Sequence, residues 1–194
     1  MKKKMDTRFS VGMLILKLRT LIALFAVVLV FAFIAPNFLS VANIIAMLKH
    51  SAIWAILALG MTFVIIGGGI DLSVGSVAGL CGMLAGGLIV EGLRLPLFGI
   101  VIYFHTPMLI LIVLLIGILL GAISGLFVTK LGVAPFIATL GMLYMARGFA
   151  MLRSGGKTFP NLIGKAELGN TGFPFLGAGT ILGIPVVVWL AVLL

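Results

Sequence analysis

The sequence predicts an all-α fold, a polytopic transmembrane helix bundle with about five full spans and the start of a sixth. A broken-helix link at Gly67–Asp71 joins its second and third spans. Three observations carry this reading. Of the 194 residues, 63% are hydrophobic and 9% are charged, where a soluble domain carries about 25% charged residues. The mean hydropathy is +1.40, so there is too little polar surface to face water. The apolar residues fall in long uninterrupted runs, and two of these runs are separated only by Gly67-Gly68-Gly69-Ile70-Asp71.

The N-terminus is basic. Lys2, Lys3, Lys4, Arg8, Lys17 and Arg19 are six of the thirteen Lys and Arg residues. Residues 1–19 read as a cytoplasmic basic segment and 20–194 as a transmembrane domain, incomplete at its C-terminus. The charge-free run Thr20–Ala35 follows, ended by Pro36 and Asn37. Phe33-Ile34-Ala35 lacks the small-x-small pattern of a signal-peptide cleavage site, so this run is the first span, with the N-terminus inside by the positive-inside rule. The net charge of +9 thus reflects membrane topology, and no nucleic-acid partner is expected. The partner surface is the lipid bilayer.

Ser40–His50 is short and mixed and reads as a connecting segment at the interface, with His50 a boundary residue. Ser51–Ile66 is the second span, and Thr62 is its candidate pore-facing hydroxyl. Three consecutive glycines, each weakening a helix by roughly 1 kcal/mol relative to alanine, end it. Asp71 then suits an N-cap, accepting from the free amides of Ser73 or Val74. Broken backbone at membrane depth is tolerated only against protein or a water-filled cavity.

Leu72–Val90 is the third span. Gly75, Gly79, Gly82 and Gly86 fall on one narrow stripe at 100° per residue, the pattern of close helix packing. Glu91–Thr106 is a loop with an apolar insert too short to span. Pro107–Thr129 is the fourth span, and Gly117, Gly121 and Gly125 repeat the four-residue glycine spacing. Leu131–Leu152 is the fifth, opened by Pro135, where proline is tolerated in a first turn. Its small-residue stripe is Ala134, Ala138, Gly141, Met145 and Gly148, and Arg147 lies opposite, placed to snorkel. Arg153–Ile184 is the longest polar stretch and reads as an extramembrane loop with a short helix. Gly156-Lys157-Thr158 lacks the earlier glycine of a phosphate loop, since that position is Met151. Pro185–Leu194 opens another apolar run shorter than the ~20 residues of a span, which suggests a fragment.

The chemistry points to passage and not catalysis. There is one cysteine, Cys81, and four acidic residues, Asp6, Asp71, Glu91 and Glu167. Paired carboxylates, a Cys/His cluster and a Ser/His/Asp set are all missing from the pattern, so no catalytic residue, metal or cofactor is expected. Only Asp71 lies near membrane depth. Ion-coupled carriers place ionisable residues there, so one carboxylate favours energy supplied from another chain. Asp71 carries two readings, a helix cap or a pathway and gating residue. If the break lines the pathway, Thr62, Ser73 and Ser76 are candidate contacts for a hydroxyl-rich solute.

The stretch Met61–Ser76, MTFVIIGGGIDLSVGS, resembles the signature of ribose-type ABC importer permeases, a family handling ribose, xylose, arabinose, galactosides and related solutes. Pro135–Met142, Arg147-Gly148 and Gly183–Val186 match as well. The resemblance covers roughly Pro36 to the C-terminus. It implies a multi-pass protein of the bacterial inner membrane. Its expected partners are a second permease subunit, as homo- or heterodimer, a cytoplasmic ABC ATPase and a periplasmic sugar-binding protein. Arg153, Lys157 and Lys165 are then candidates for docking that binding protein. Two other classes stay open: a secondary transporter with a discontinuous-helix site, and a membrane assembly subunit without a pathway.

Overall fold

The computed structural model describes residues 11–194, with side chains from Leu18 onward. The basic N-terminal segment lies mostly outside the described residues. The chain divides after Met47 into two compact units.

The first unit holds α1 (Val11–Ile34) and the start of α2 (Val41–Ile66). Asn37 takes φ 62° in the turn between them, a left-handed conformation that asparagine tolerates. Ser40 caps α2 through its hydroxyl, which accepts from the Asn43 amide at 3.3 Å. The Phe31 and Phe38 rings stack across this turn, 5.8 Å between centroids.

In the second unit follow α3 (Val74–Val90), a hairpin of β1 (Leu93–Leu95) and β2 (Ile100–Ile102), α4 (Thr106–Thr129) and α5 (Pro135–Ser154). Then come α6 (Phe173–Ala178), a second hairpin of β3 (Thr180–Ile181) and β4 (Ile184–Pro185), and α7 (Val186–Leu193). The strands pair antiparallel within each hairpin, and together they form no larger sheet. The β3–β4 turn puts both Leu182 (φ 54°) and Gly183 (φ 78°) in the left-handed region, as a type I′ turn requires.

Among the described residues three helices, α2, α4 and α5, are long and apolar enough to cross a membrane. At 1.5 Å per residue they span about 39, 36 and 30 Å, against a hydrocarbon core of about 30 Å. The apolar helix α3 has 17 residues and reaches only about 26 Å. Large apolar side chains cover the exterior: Trp54 is 70% exposed and Phe63 76%. Such a surface marks contact with lipid or with other protein.

Several boundaries differ from the sequence reading, and α3 and α5 begin at Val74 and Pro135 instead of Leu72 and Leu131. The expected connecting segment Ser40–His50 is helical from Val41 and continuous with the second span. No proline interrupts it, and Ala, Met, Leu and Lys all favour helix, so Lys49 and His50 mark polarity without ending the helix. The fifth span runs to Ser154, two turns beyond Arg147, which is exposed.

The buried core lies where α3, α4 and the long polar segment meet. Ala85, Leu88, Ile89 and Leu109 form it, with Phe104, Leu162 and Phe173 packed against them. Asn170, fully buried, ties the segment down. Its amide nitrogen donates to the Ile89 carbonyl at 3.0 Å, and its oxygen accepts from the Lys165 amide at 2.7 Å. The Thr106 hydroxyl donates to the Thr171 carbonyl at 2.6 Å.

Beside this core, Arg153 Nη1 donates to Glu91 Oε2 at 2.8 Å. The guanidinium also lies 5.8 Å from the centre of the Phe159 ring. Glycine is needed here: a Cβ on Gly87 would collide with the guanidinium, and one on Gly86 would lie 2.8 Å from the Phe159 ring. The Arg153 hydrogen bond and charge hold the Glu91 carboxyl below its ordinary value near 4.5. A lowered acid pKa stabilises the fold above the unfolded value, and that contribution is lost as pH falls through the folded one. The wild-type melting temperature is therefore expected to fall more steeply than that of Glu91→Gln as pH drops below 4.5. Thermal unfolding of both proteins in detergent across that range checks it. Both side chains are about one-third exposed, so the difference should be a few degrees and shrink with salt.

Candidate functional site

The broken link sits at the opposite end of the second unit from this core. Its local geometry follows from the three glycines. The Gly69 amide donates to the Val64 carbonyl at 3.0 Å, and the Gly68 amide to the Ile65 carbonyl at 2.9 Å. These are the paired bonds of a Schellman motif, with Gly68 at the left-handed C′ position, φ 77°. Gly69 brings the backbone beside α5: a Cβ there would lie 3.5 Å from Pro135 Cβ.

Ser73, and not Asp71, occupies the N-cap position of α3. Asp71 lies two residues earlier and folds back on it. Its Oδ1 accepts from the Ser73 amide at 2.7 Å and from the Ser73 hydroxyl at 2.6 Å. This is an Asx turn, the local bonding that suits aspartate and asparagine to such links. Ser73 is 3% exposed, so the turn is a buried polar knot. Among the described residues Oδ2 of Asp71 takes part in no hydrogen bond, and Asp71 is half-buried.

Thr139 pins the link to α5. Its hydroxyl is shared between the Pro135 carbonyl at 2.8 Å and the Ile70 carbonyl at 3.2 Å. The two stretches that carry the family resemblance, 61–76 and 135–142, therefore meet in space.

Between the link, the C-terminal half of α4 and the start of α5 lies a cavity of about 280 Å³. Val64, Ile70, Val128 and Pro135 give it apolar walls; Asp71, Ser124, Thr129 and Thr139 are its polar members. Thr129 donates to the Gly125 carbonyl. Ser124 is 6% exposed, and its hydroxyl has no partner among the described residues. An orphaned buried hydroxyl costs about 1–3 kcal/mol.

Several expected residues converge here: Gly67, Gly69, Asp71, Gly121 and Gly125 line the cavity. Gly68 shapes the turn, and Ser73 holds Asp71. Thr62 is outside the lining, and its hydroxyl returns to the Ala58 carbonyl at 2.8 Å. Ser76 is half-buried and also outside it. The α3 stripe meets little within the chain: a Cβ at Gly75, Gly79 or Gly82 would find nothing within 4 Å, and Gly86 meets the Phe159 ring. Gly117 lies against Cys81 Sγ, at 3.5 Å from its would-be Cβ. On α5 the buried residues are Thr139, Met142 and Ala146, one position, or about 100°, around from the small-residue stripe. Lys157 and Lys165 are exposed, while Arg153 is engaged by Glu91. Ser124 and Thr139 are additions that the structure makes to the expected set.

The long apolar helices and the broken helix at a polar-lined cavity make this an all-α multi-pass membrane bundle. The chain belongs to the family described as branched-chain amino acid transport system/permease component, which matches residues 43–194. It is 40% identical over 98% of its length to the ribose import permease protein RbsC of Haemophilus influenzae, covering 54% of that protein. It is 39% identical over 88% of its length to RbsC of Bacillus subtilis, covering 48% of that protein. The autoinducer 2 import system permease protein LsrC of Escherichia coli is 35% identical over 91% of this chain and 47% of the relative. The chain thus spans about half the length of the curated relatives it matches. No solved structure matches it. The resemblance read from Met61–Ser76 and Pro135–Met142 agrees with these relatives.

Proposed function

We propose that the chain is part of the membrane-embedded permease of a binding-protein-dependent ABC importer for a small neutral sugar or related solute. One observation carries the reading: the cavity at the broken helix has apolar walls, a few convergent polar groups and no basic side chain in its lining. Apolar walls with a few placed hydrogen-bonding groups suit a small hydroxylated solute, and a lone carboxylate disfavours anions. The names of the relatives, ribose and autoinducer 2 import permeases, support the same class.

On this reading the chain lies in the bacterial inner membrane with its N-terminus cytoplasmic. A second permease subunit completes the pathway, an ATPase on another chain supplies the energy, and a periplasmic binding protein delivers the solute. Counting α1 to α5 from a cytoplasmic N-terminus puts the long segment after α5 outside and the cavity at the cytoplasmic end. Lys157 and Lys165 then face the binding protein, while Arg153 supports the surface from beneath through Glu91.

The test is D-ribose uptake by right-side-out membrane vesicles carrying the permease and its ATPase. Uptake that requires this chain, the added binding protein and internal ATP is the expected result. Charge reversal at Lys157 and Lys165 together should lower that uptake severalfold without changing membrane abundance. Uptake driven by an ion gradient and independent of ATP would overturn the reading.

A further inference from the structure

We propose that the cavity beside the broken helix is a binding site for a single neutral monosaccharide ring, with Asp71 and Ser124 as its two hydrogen-bonding walls. The inference deepens the sugar reading of the same cavity and rests on it. Two independent observations on two different elements, the link and α4, carry it. Asp71 spends only Oδ1 on Ser73, at 2.7 and 2.6 Å, which leaves Oδ2 to accept. On α4, in the same lining, Ser124 is more than nine-tenths buried and its hydroxyl has no partner among the described residues. Thr129 on the same helix returns its hydroxyl to the backbone at 2.8 Å; Ser124 does not. A serine hydroxyl moves between staggered wells at little cost, so an entering hydroxyl can recruit it.

The neighbouring polar groups are already committed. Thr139 is shared between Pro135 and Ile70, and Ser73 is held by Asp71. With the Thr129 and Thr139 protons spent, the uncommitted side-chain groups are the second Asp71 oxygen, an acceptor, and the adaptable Ser124 hydroxyl, set between apolar walls like the polar edges and apolar faces of a sugar ring. At about 280 Å³ the cavity falls just below the ~300–1,000 Å³ of sites for drug-sized ligands, so it takes one ring and not two. The carboxylate excludes a phosphorylated sugar. Gly121 and Gly125 add no side chain to the α4 wall, which leaves Ser124, Val128 and Thr129 to form it.

The experiment is thiol protection in native membrane vesicles. Ser124→Cys is introduced on a Cys81→Ala background, because Cys81 is the only cysteine in the sequence. Alkylation by N-ethylmaleimide is timed with saturating D-ribose, lactose or D-ribose 5-phosphate. D-ribose should slow the reaction at least fivefold, and the other two should leave it unchanged. Adding Asp71→Asn should remove most of the protection. Equal rates with and without D-ribose, protection by all three sugars, or no alkylation at all would each overturn the site. Should Ser124→Cys fail to reach the membrane, Gly121→Cys on the same wall gives the same comparison. ATP-dependent uptake without protection defeats this site and leaves the importer standing; protection without uptake does the reverse.

Discussion

Replacing Asn170 by leucine is expected to destabilise the protein by about 2–4 kcal/mol, a loss set by stranded buried partners. Asn170 is fully buried and joins three parts of the chain: its own segment, the Lys165 turn and the C-terminal turn of α3. Leucine has the same branched skeleton but bulkier methyl groups, so some overpacking adds to the loss. What goes is an acceptor for the Lys165 amide and a donor for the Ile89 carbonyl, both left out of water. Asn170→Asp separates the two. Its carboxylate still accepts from Lys165 but cannot donate to Ile89, and it buries a charge against a carbonyl oxygen. Its loss should therefore exceed that of the leucine variant at pH 7 and shrink at pH 4, where a protonated carboxyl donates again. Denaturant unfolding of the solubilised protein, followed by circular dichroism, measures all three proteins. A leucine variant within about 0.5 kcal/mol of wild type, the range of an ordinary surface substitution, would show that the long segment does not depend on this residue.

Asn170 also illustrates what a sequence leaves unread. The apolar runs, the glycine break and the proline at the head of α5 are local signals, and each lies within a few residues of the helix end it predicts. The partner of a buried polar group is not local. Asn170 meets Ile89 across 81 positions and Thr139 meets Ile70 across 69. No periodicity reports such distances. The same limit explains the α3 stripe. Spacing places Gly75, Gly79, Gly82 and Gly86 on one face, but the neighbour of that face depends on other parts of the fold; only Gly86 meets a side chain within the described chain. Ser40–His50 differed for another reason: polarity marks the edge of an apolar run, whereas a helix ends only when its backbone must turn. Ser124 did leave a signal. It lies three residues after Gly121 and so shares the face of the glycine repeat. Thr139 lay inside the second matched stretch, but a helical threonine can satisfy itself on its own backbone, as this one does on Pro135, so its second bond to Ile70 left no signal.

At Asp71 the expected outcomes separate structure from transport. In Asp71→Ala, the buried Ser73 amide and hydroxyl lose their common acceptor. Hydrogen bonds to a charged group contribute about 1.5–3 kcal/mol each. The two share one oxygen, so the variant should lose about 3 kcal/mol and reach the membrane poorly. Asp71→Asn keeps that oxygen. An asparagine Oδ1 accepts from the same two donors, and asparagine suits an Asx turn as well as aspartate does. Its stability and membrane abundance should therefore match wild type within about 0.5 kcal/mol, the scale of a neutral substitution. The second carboxylate oxygen is lost, replaced by an amide group that donates instead of accepting. If that oxygen meets the solute, uptake falls at least tenfold while abundance holds. If uptake is unchanged, Asp71 serves only the turn, and the polar wall of the pathway lies elsewhere. Immunoblotting and vesicle uptake on the same preparations decide between the two. The alanine variant alone cannot, because it removes the knot and the charge together.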